Sequence, residues 1–88
     1  MRFKIDPDKT FWRILDGEAV IISAETSHYY SLNRSGTFIW ALLAEGPLSE
    51  EEIVARVAAH FDRPPREVSA DVARLLADLR AEHLLTVE

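Results

Sequence analysis

The alternation of hydrophobic and polar positions changes period at Asn33. Before it, Phe11-Trp12-Arg13-Ile14-Leu15 and Ala19-Val20-Ile21-Ile22 are short runs of β-branched and aromatic residues joined through Asp16-Gly17. That pair suits a two-residue type I′ hairpin turn. With the turn setting the register, Trp12, Ile14, Ala19 and Ile21 share one face, while Phe11, Arg13, Leu15, Glu18, Val20 and Ile22 share the other. The first face is the better core candidate. A second turn around Ala24-Glu25-Thr26-Ser27 leads to His28-Tyr29-Tyr30-Ser31-Leu32, a third short strand whose Tyr30 and Leu32 point the same way. The prediction is a three-stranded antiparallel meander with its third strand at an edge.

From Asn33 onward the period is helical. Asn33 is a good N-cap, Phe38, Ile39, Leu42 and Leu43 recur at helical spacing, and Glu45-Gly46-Pro47 ends the segment. Ser49-Glu50-Glu51-Glu52 reads as a capping box that opens a second helix, with Ile53, Val54, Val57 and Phe61 on its apolar face and its end near His60. Asp62-Arg63-Pro64-Pro65 breaks the chain, and a proline at the first helical position opens a third helix that runs to about Glu82. Projected at about 100° per residue, Val68, Val72, Leu75, Leu76 and Leu79 form one stripe of this helix. Ala70, Ala73, Ala77 and Ala81 lie opposite, and Glu67, Asp71, Asp78 and Glu82 make one flank acidic. Leu84-Leu85-Thr86-Val87 is a short apolar tail that forms a strand or a coil sealing the core. Strands, three helices and a tail make an α+β chain with a winged-helix-like second part.

Length and composition narrow what such a chain does. Eighty-eight residues, 48% hydrophobic and 28% charged with three Gly and four Pro, are expected to make one folded domain over residues 1–88. A domain of this size buries only about 60% of its unfolded surface, which leaves little room for elaborate substrate-handling machinery. The absence of cysteine removes disulfides, thiolate nucleophiles and Cys-containing zinc sites. No apolar signal segment opens the chain, and the longest apolar run, Phe38 to Ala44, is far short of the ~18 residues of a membrane span. The expectation is a cytoplasmic protein that engages no membrane. The net charge is −5, and from Asn33 onward six Arg face ten Asp and Glu. Phosphate-rich partners are therefore disfavoured.

The candidate chemistry is sparse. His28, His60 and His83 fall on three different elements, with none of the i, i+4 spacing of a helical metal pair, so no metal site is read. Ser27-His28 is no nucleophile–base pair, because neighbouring strand side chains point to opposite faces. There is no Gly-rich phosphate loop, and Glu50-Glu51-Glu52 sits where acidic residues favour the helix dipole. No catalytic residue and no cofactor are predicted. Helices two and three resemble a helix-turn-helix, so a DNA-binding or transcription-regulatory domain is the alternative reading. Its helix, from Pro65 to Glu82, sets Arg66, Arg74 and Arg80 against Glu67, Asp71, Asp78 and Glu82, a poor charge balance for reading bases. The remaining feature is the edge strand, and edges bind peptides by strand addition. The competing arrangement covers this edge with the N-terminal segment or a second copy.

The run Tyr29-Tyr30-Ser31-Leu32-Asn33-Arg34-Ser35-Gly36-Thr37-Phe38-Ile39-Trp40, the Ser-capped helix, Asp71 and the closing Leu84-Leu85 resemble the PqqD-like family. That family includes the peptide chaperone of pyrroloquinoline quinone biosynthesis and the precursor-peptide recognition elements of ribosomally made, post-translationally modified peptide pathways, lasso peptides among them. The resemblance covers the chain from about Phe11 to its end. It implies a three-stranded antiparallel sheet followed by a three-helix winged helix-turn-helix, without catalysis, metal or cofactor. The leader segment of a precursor peptide would add beside the third strand, in the cleft facing the third helix. A peptide-modifying enzyme, such as a radical SAM enzyme or a leader peptidase, would be the other partner, with no role for nucleic acid. Carried over position by position, the peptide-binding residues are His28, Tyr29, Tyr30, Ser31 and Leu32 on the strand, and Asp71, Val72, Leu75, Leu76 and Asp78 on the helix. The sequence departs from the family pattern at Ser27, where a turn Gly is common, at Pro64, where an Asp-type cap is usual, and at His83, where the helix typically ends on Gly.

Overall fold

The computed structural model describes residues Met1 to Glu88. Strands β1 (Phe3–Ile5), β2 (Thr10–Leu15), β3 (Glu18–Ser23) and β4 (Tyr29–Ser31) come first. Helices α1 (Arg34–Glu45), α2 (Glu50–Phe61) and α3 (Pro65–Ala81) follow, and a last strand, β5 (Leu85–Val87), closes the chain. The architecture is α+β with two antiparallel sheets: a three-stranded sheet in the order β2-β3-β4, and a two-stranded β1-β5 sheet.

The meander forms as its turn chemistry predicts. Asp16 and Gly17 have φ of 52° and 79°, the two left-handed residues of a type I′ turn, and Leu15 pairs directly with Glu18. The third strand is shorter than the predicted His28–Leu32, spanning only Tyr29–Ser31. Ser27 and His83 both take left-handed φ, 62° and 63°, so the two sites where the family pattern favours Gly are left-handed here while carrying side chains.

Each helix begins and ends for a local reason. The Asn33 side chain accepts a hydrogen bond from the Gly36 N–H at 2.9 Å, and Gly46 follows the last turn of α1. Ser49 and Glu52 close a reciprocal capping box at α2, and the Ser49 backbone N–H holds the Glu52 carboxyl below the usual carboxylate range. Asp62, in the left-handed region, ends α2, and Pro65 opens α3, which has no side-chain cap at Pro64.

The N-terminal residues and the apolar tail, which the hydrophobic pattern left without partners, pair with each other. Phe3 lies opposite Val87 and Ile5 opposite Leu85, with a further bridge from Phe3 to Leu48. Leu84 and Leu85 are thereby buried. The core between sheet and helices is built around Trp40, Ile21, Ile53, Leu76, Leu84 and Val72, each less than 2% exposed. Thr37, also buried, joins the layers: its hydroxyl accepts from the Ala19 N–H at 2.8 Å and donates to the Leu32 carbonyl at 3.2 Å. The first turn of α1 is thus tied to the central strand and to the residue that follows β4.

The face predicted for the core divides into two parts. Ala19 and Ile21 are fully buried, whereas Trp12 and Ile14, on the same face of the neighbouring strand, are 40% and 44% exposed. The helices cover β3 and leave β2 overhanging, with Trp12 resting edge-on against Trp40 at 6.1 Å between ring centroids.

Candidate functional site

The site is best built from the free edge of β4. Antiparallel partners alternate between residues that exchange backbone hydrogen bonds and residues that do not. The Ser23 N–H donates to the His28 carbonyl and the Leu32 N–H to the Ala19 carbonyl, both at 2.9 Å. His28, Tyr30 and Leu32 therefore spend their backbone groups on β3. Tyr29 and Ser31 turn theirs away from the sheet, where no strand pairs with them. The side chains divide by the same parity: Tyr30 and Leu32 face the helices, and Tyr29 and Ser31 face solvent. The N-terminal segment does not cover this edge, because β1 is paired with β5.

Across from the inner side of β4 runs α3. The Tyr30 hydroxyl donates to the Glu82 carboxylate at 2.6 Å, bracing the strand against the C-terminal end of the helix. That bond holds the Tyr30 hydroxyl above its ordinary pKa, so it stays protonated and donating. Glu25, in the β3–β4 turn, lies 4.0 Å from His83 and 3.6 Å from Lys9, a second and looser tie between the turn and the end of α3.

At the other end of β4 the elements part. A cavity of ≈ 610 Å³ opens among the first turn of α1, the C-terminal end of α2 and the face of α3, bordered by Asn33, Gly36, Phe61, Asp71, Val72, Leu75 and Asp78 among others. Gly36 makes room for it. A Cβ there would lie 3.2 Å from the Leu32 Cβ and 3.6 Å from a Leu75 methyl, so a side chain at this position would crowd the junction of β4, α1 and α3. The rim carries mixed charge: Arg74 pairs with Asp71 at 3.2 Å and Arg63 with Glu67 at 3.6 Å, while Asp78 has no ion-pair partner.

The residues carried over from the family pattern fall into three places. His28, Tyr29 and Ser31 are exposed along the edge, with Tyr30 half-buried beneath it. Asp71, Leu75 and Asp78 border the cavity, as does the small accessible part of Val72, which is otherwise core. Leu32 and Leu76 are in the core, and Leu76, 1% exposed, does not border the cavity. Leu75 is thus the member of the Leu75-Leu76 pair that a ligand would meet. Gly36, Thr37 and Glu82 were not singled out as site residues. The sequence places Glu82 on the acidic flank of the third helix and Thr37 in the family run, but their contacts are not visible there, because the partners Tyr30 and Ala19 lie 52 and 18 residues away in the chain. His60 stacks on Phe38 at 4.0 Å, and no three His, Asp or Glu side chains are grouped to hold a metal ion.

With this geometry, the comparison with known proteins is decisive for family. The model of the family described as coenzyme PQQ synthesis protein D (PqqD) matches residues 18–85, the greater part of the chain. The chain belongs to the PqqD family. Among solved structures, the PqqD-family chain is similar to TbiB1 in complex with the TbiA(beta) leader peptide. The two are 32% identical, with a TM-score of 0.86, over 97% of this chain and 96% of that one. That likeness extends through β1 and β5, beyond the residues matched by the family model. No curated protein matches the sequence. No helix of this PqqD-family protein is long and apolar enough to cross a membrane.

Proposed function

We propose that this protein is a non-catalytic peptide-recognition domain, spanning residues 1–88, that binds the leader segment of a ribosomal precursor peptide by strand addition at β4. It would hold the bound precursor for a peptide-modifying enzyme, such as a radical SAM enzyme or a leader peptidase. In this reading the three helices after the sheet form a winged helix-turn-helix put to use as a peptide scaffold. The observation that carries the proposal is the open edge at Tyr29 and Ser31, in a fold shared with a 32%-identical protein solved with a leader peptide.

The chemistry follows from the parity of the edge. An added strand exchanges backbone bonds with Tyr29 and Ser31, which supplies affinity without requiring a particular sequence. The leader residue opposite Tyr30 then shares the inner face with Tyr30 and points toward α3, while its neighbours point to solvent. Selectivity is expected from apolar leader side chains meeting Leu75 at the cavity mouth, and from basic ones meeting Asp78.

Hydrogen exchange with and without a synthetic leader of the cognate precursor tests this. Protection is expected to rise at the Tyr29 and Ser31 amides and to stay unchanged at Tyr30, whose amide is already paired. Unchanged exchange at Tyr29 and Ser31 in a saturated complex would mean that the peptide lies elsewhere.

A further inference from the structure

The three-stranded sheet has a second open edge, along β2. The Ala24 N–H donates to the Lys9 carbonyl at 2.8 Å, which assigns the odd-numbered residues of β2 to the ladder with β3. The backbone groups of Trp12 and Ile14 therefore face outward, with no strand beside them. This edge has six residues against three in β4, and five of its six side chains are exposed. Phe11, Trp12, Ile14 and Leu15 make it apolar on both faces. Its continuous register with β3 contains no bulge, and it has no proline and one charge, Arg13. Such an edge lacks the features by which proteins ordinarily prevent strand pairing.

We propose that β2 pairs with β2 of a second copy of this chain, across a two-fold axis perpendicular to the sheet. An axis so placed keeps each side chain on its own face, so directly opposed residues must have the same parity, and outward groups meet outward groups only among even residues. Few registers satisfy this. Centring the axis on Arg13 sets two arginines against each other, and centring it on Ile14 sets Trp12 against Asp16 in the turn. Centring it on Trp12 sets Trp12 against Trp12, Phe11 against Arg13 with ring facing guanidinium, and Thr10 against Ile14.

That last pairing accounts for a separate feature. Thr10 and Trp12 border a groove of ≈ 390 Å³ on the inner side of β2, together with Lys4, Ile5, Leu43 and Pro47, so that its walls are apolar with one ammonium among them. In the Trp12-centred register, Ile14 of the copy lies opposite Thr10 on this face and enters the groove. The strand thus carries both the groove and the side chain that fills it, the self-complementarity that a two-fold interface requires. The net charge of −5 per chain opposes association in general, but this edge itself is apolar with one positive charge. The two β4 edges end up at opposite ends of a six-stranded sheet, both open, so pairing at β2 is independent of leader binding.

Sedimentation velocity across a concentration series tests the pairing, together with oxidative cross-linking that exploits the cysteine-free chain. The wild-type mass is expected to rise from 10.0 kDa toward twice that value with concentration. Ile14→Lys is expected to weaken the dimer at least about tenfold without changing the far-UV spectrum or leader affinity. A single cysteine introduced as Trp12→Cys is expected to form a covalent dimer, since opposed Cα atoms in a bonded pair lie about 5.5 Å apart. Arg13→Cys and Tyr29→Cys are expected to cross-link much more slowly. A wild-type chain that stays monomeric up to about millimolar concentration overturns the proposal. A dimer indifferent to Ile14→Lys, or Tyr29→Cys cross-linking as fast as Trp12→Cys, overturns it as well, by placing the contact elsewhere. A wild-type chain that stays monomeric at that concentration yet still binds the leader overturns this pairing and leaves the β4 reading standing.

Discussion

The two edges of one sheet differ in what stands beside them. At β4, three residues are braced against the end of α3 by the Tyr30–Glu82 bond, and a cavity bordered by Leu75 lies past the end of the strand, where α1 begins. At β2, five of six side chains are exposed, and Trp12 touches the core through its contact with Trp40. Both edges offer unpaired backbone groups, so strand addition alone does not distinguish them. What β4 adds is a facing helix, and therefore a second surface against which a guest strand's inward side chains would be read in the proposed mode. What β2 offers instead is length and apolar area without such a wall, which suits a partner that brings its own cover.

The largest effect that sharpens this contrast is on stability. Trp40, fully buried, is expected to cost about 3–5 kcal/mol on replacement by Ala, enough to threaten the fold of a small domain. Its Nε1 has no hydrogen-bond partner, so the loss is one of packing. Trp12→Ala, at a position 40% exposed, is expected to cost under about 2 kcal/mol. Equal losses in thermal or denaturant unfolding would show that β2 is as much part of the core as α1, and the contrast would fail.

Next in size is the effect of proline on peptide affinity. Ser31→Pro deletes an outward N–H at β4 that folding does not use, and is expected to weaken leader binding at least about tenfold while the domain stays folded. Ile14→Pro makes the same deletion at β2 and is expected to leave leader affinity unchanged. Titration calorimetry on the pair decides between the edges: if the second substitution is the damaging one, the leader binds at β2.

Much of the fold was legible because it depends on neighbours in the chain. The Asp16-Gly17 turn, the Asn33 cap, the Ser49–Glu52 capping box and the Pro64-Pro65 break each act within four residues, and each is found where the pattern put it. The β1-β5 sheet was not legible in this way, since two three-residue strands more than 75 residues apart carry no mutual signal. Facing was legible where covering was not: alternation placed Trp12 and Ala19 on one face, but how far the helices reach across that face decides that one is exposed and the other buried. The same applies on α3, where Leu75 and Leu76 share an apolar stripe and only packing separates the cavity residue from the core residue. Backbone parity at β4 depends on the register with β3, which the longer β3–β4 turn leaves open and the structure defines.

The smallest expected effect concerns charge at the β4 side alone. The sequence groups Asp71 and Asp78 on one acidic flank, but the structure gives them different surroundings: Asp71 is paired with Arg74 at 3.2 Å, and Asp78 has no ion-pair partner. In the proposed mode a basic leader residue would find an uncommitted carboxylate at Asp78 and a partly neutralised one at Asp71. Asp78→Lys is expected to weaken a leader carrying Lys or Arg by about three- to tenfold at low ionic strength, and Asp71→Lys by less. Both losses should shrink as salt rises toward physiological strength, where the screening length falls to about 8 Å. Neither substitution should change the melting temperature measurably, since exposed helix charges contribute under about 1 kcal/mol. Equal losses for the two variants would mean that the leader displaces Arg74 from Asp71, and no loss for either would take charge out of recognition, leaving the edge and the Leu75 wall to account for selectivity.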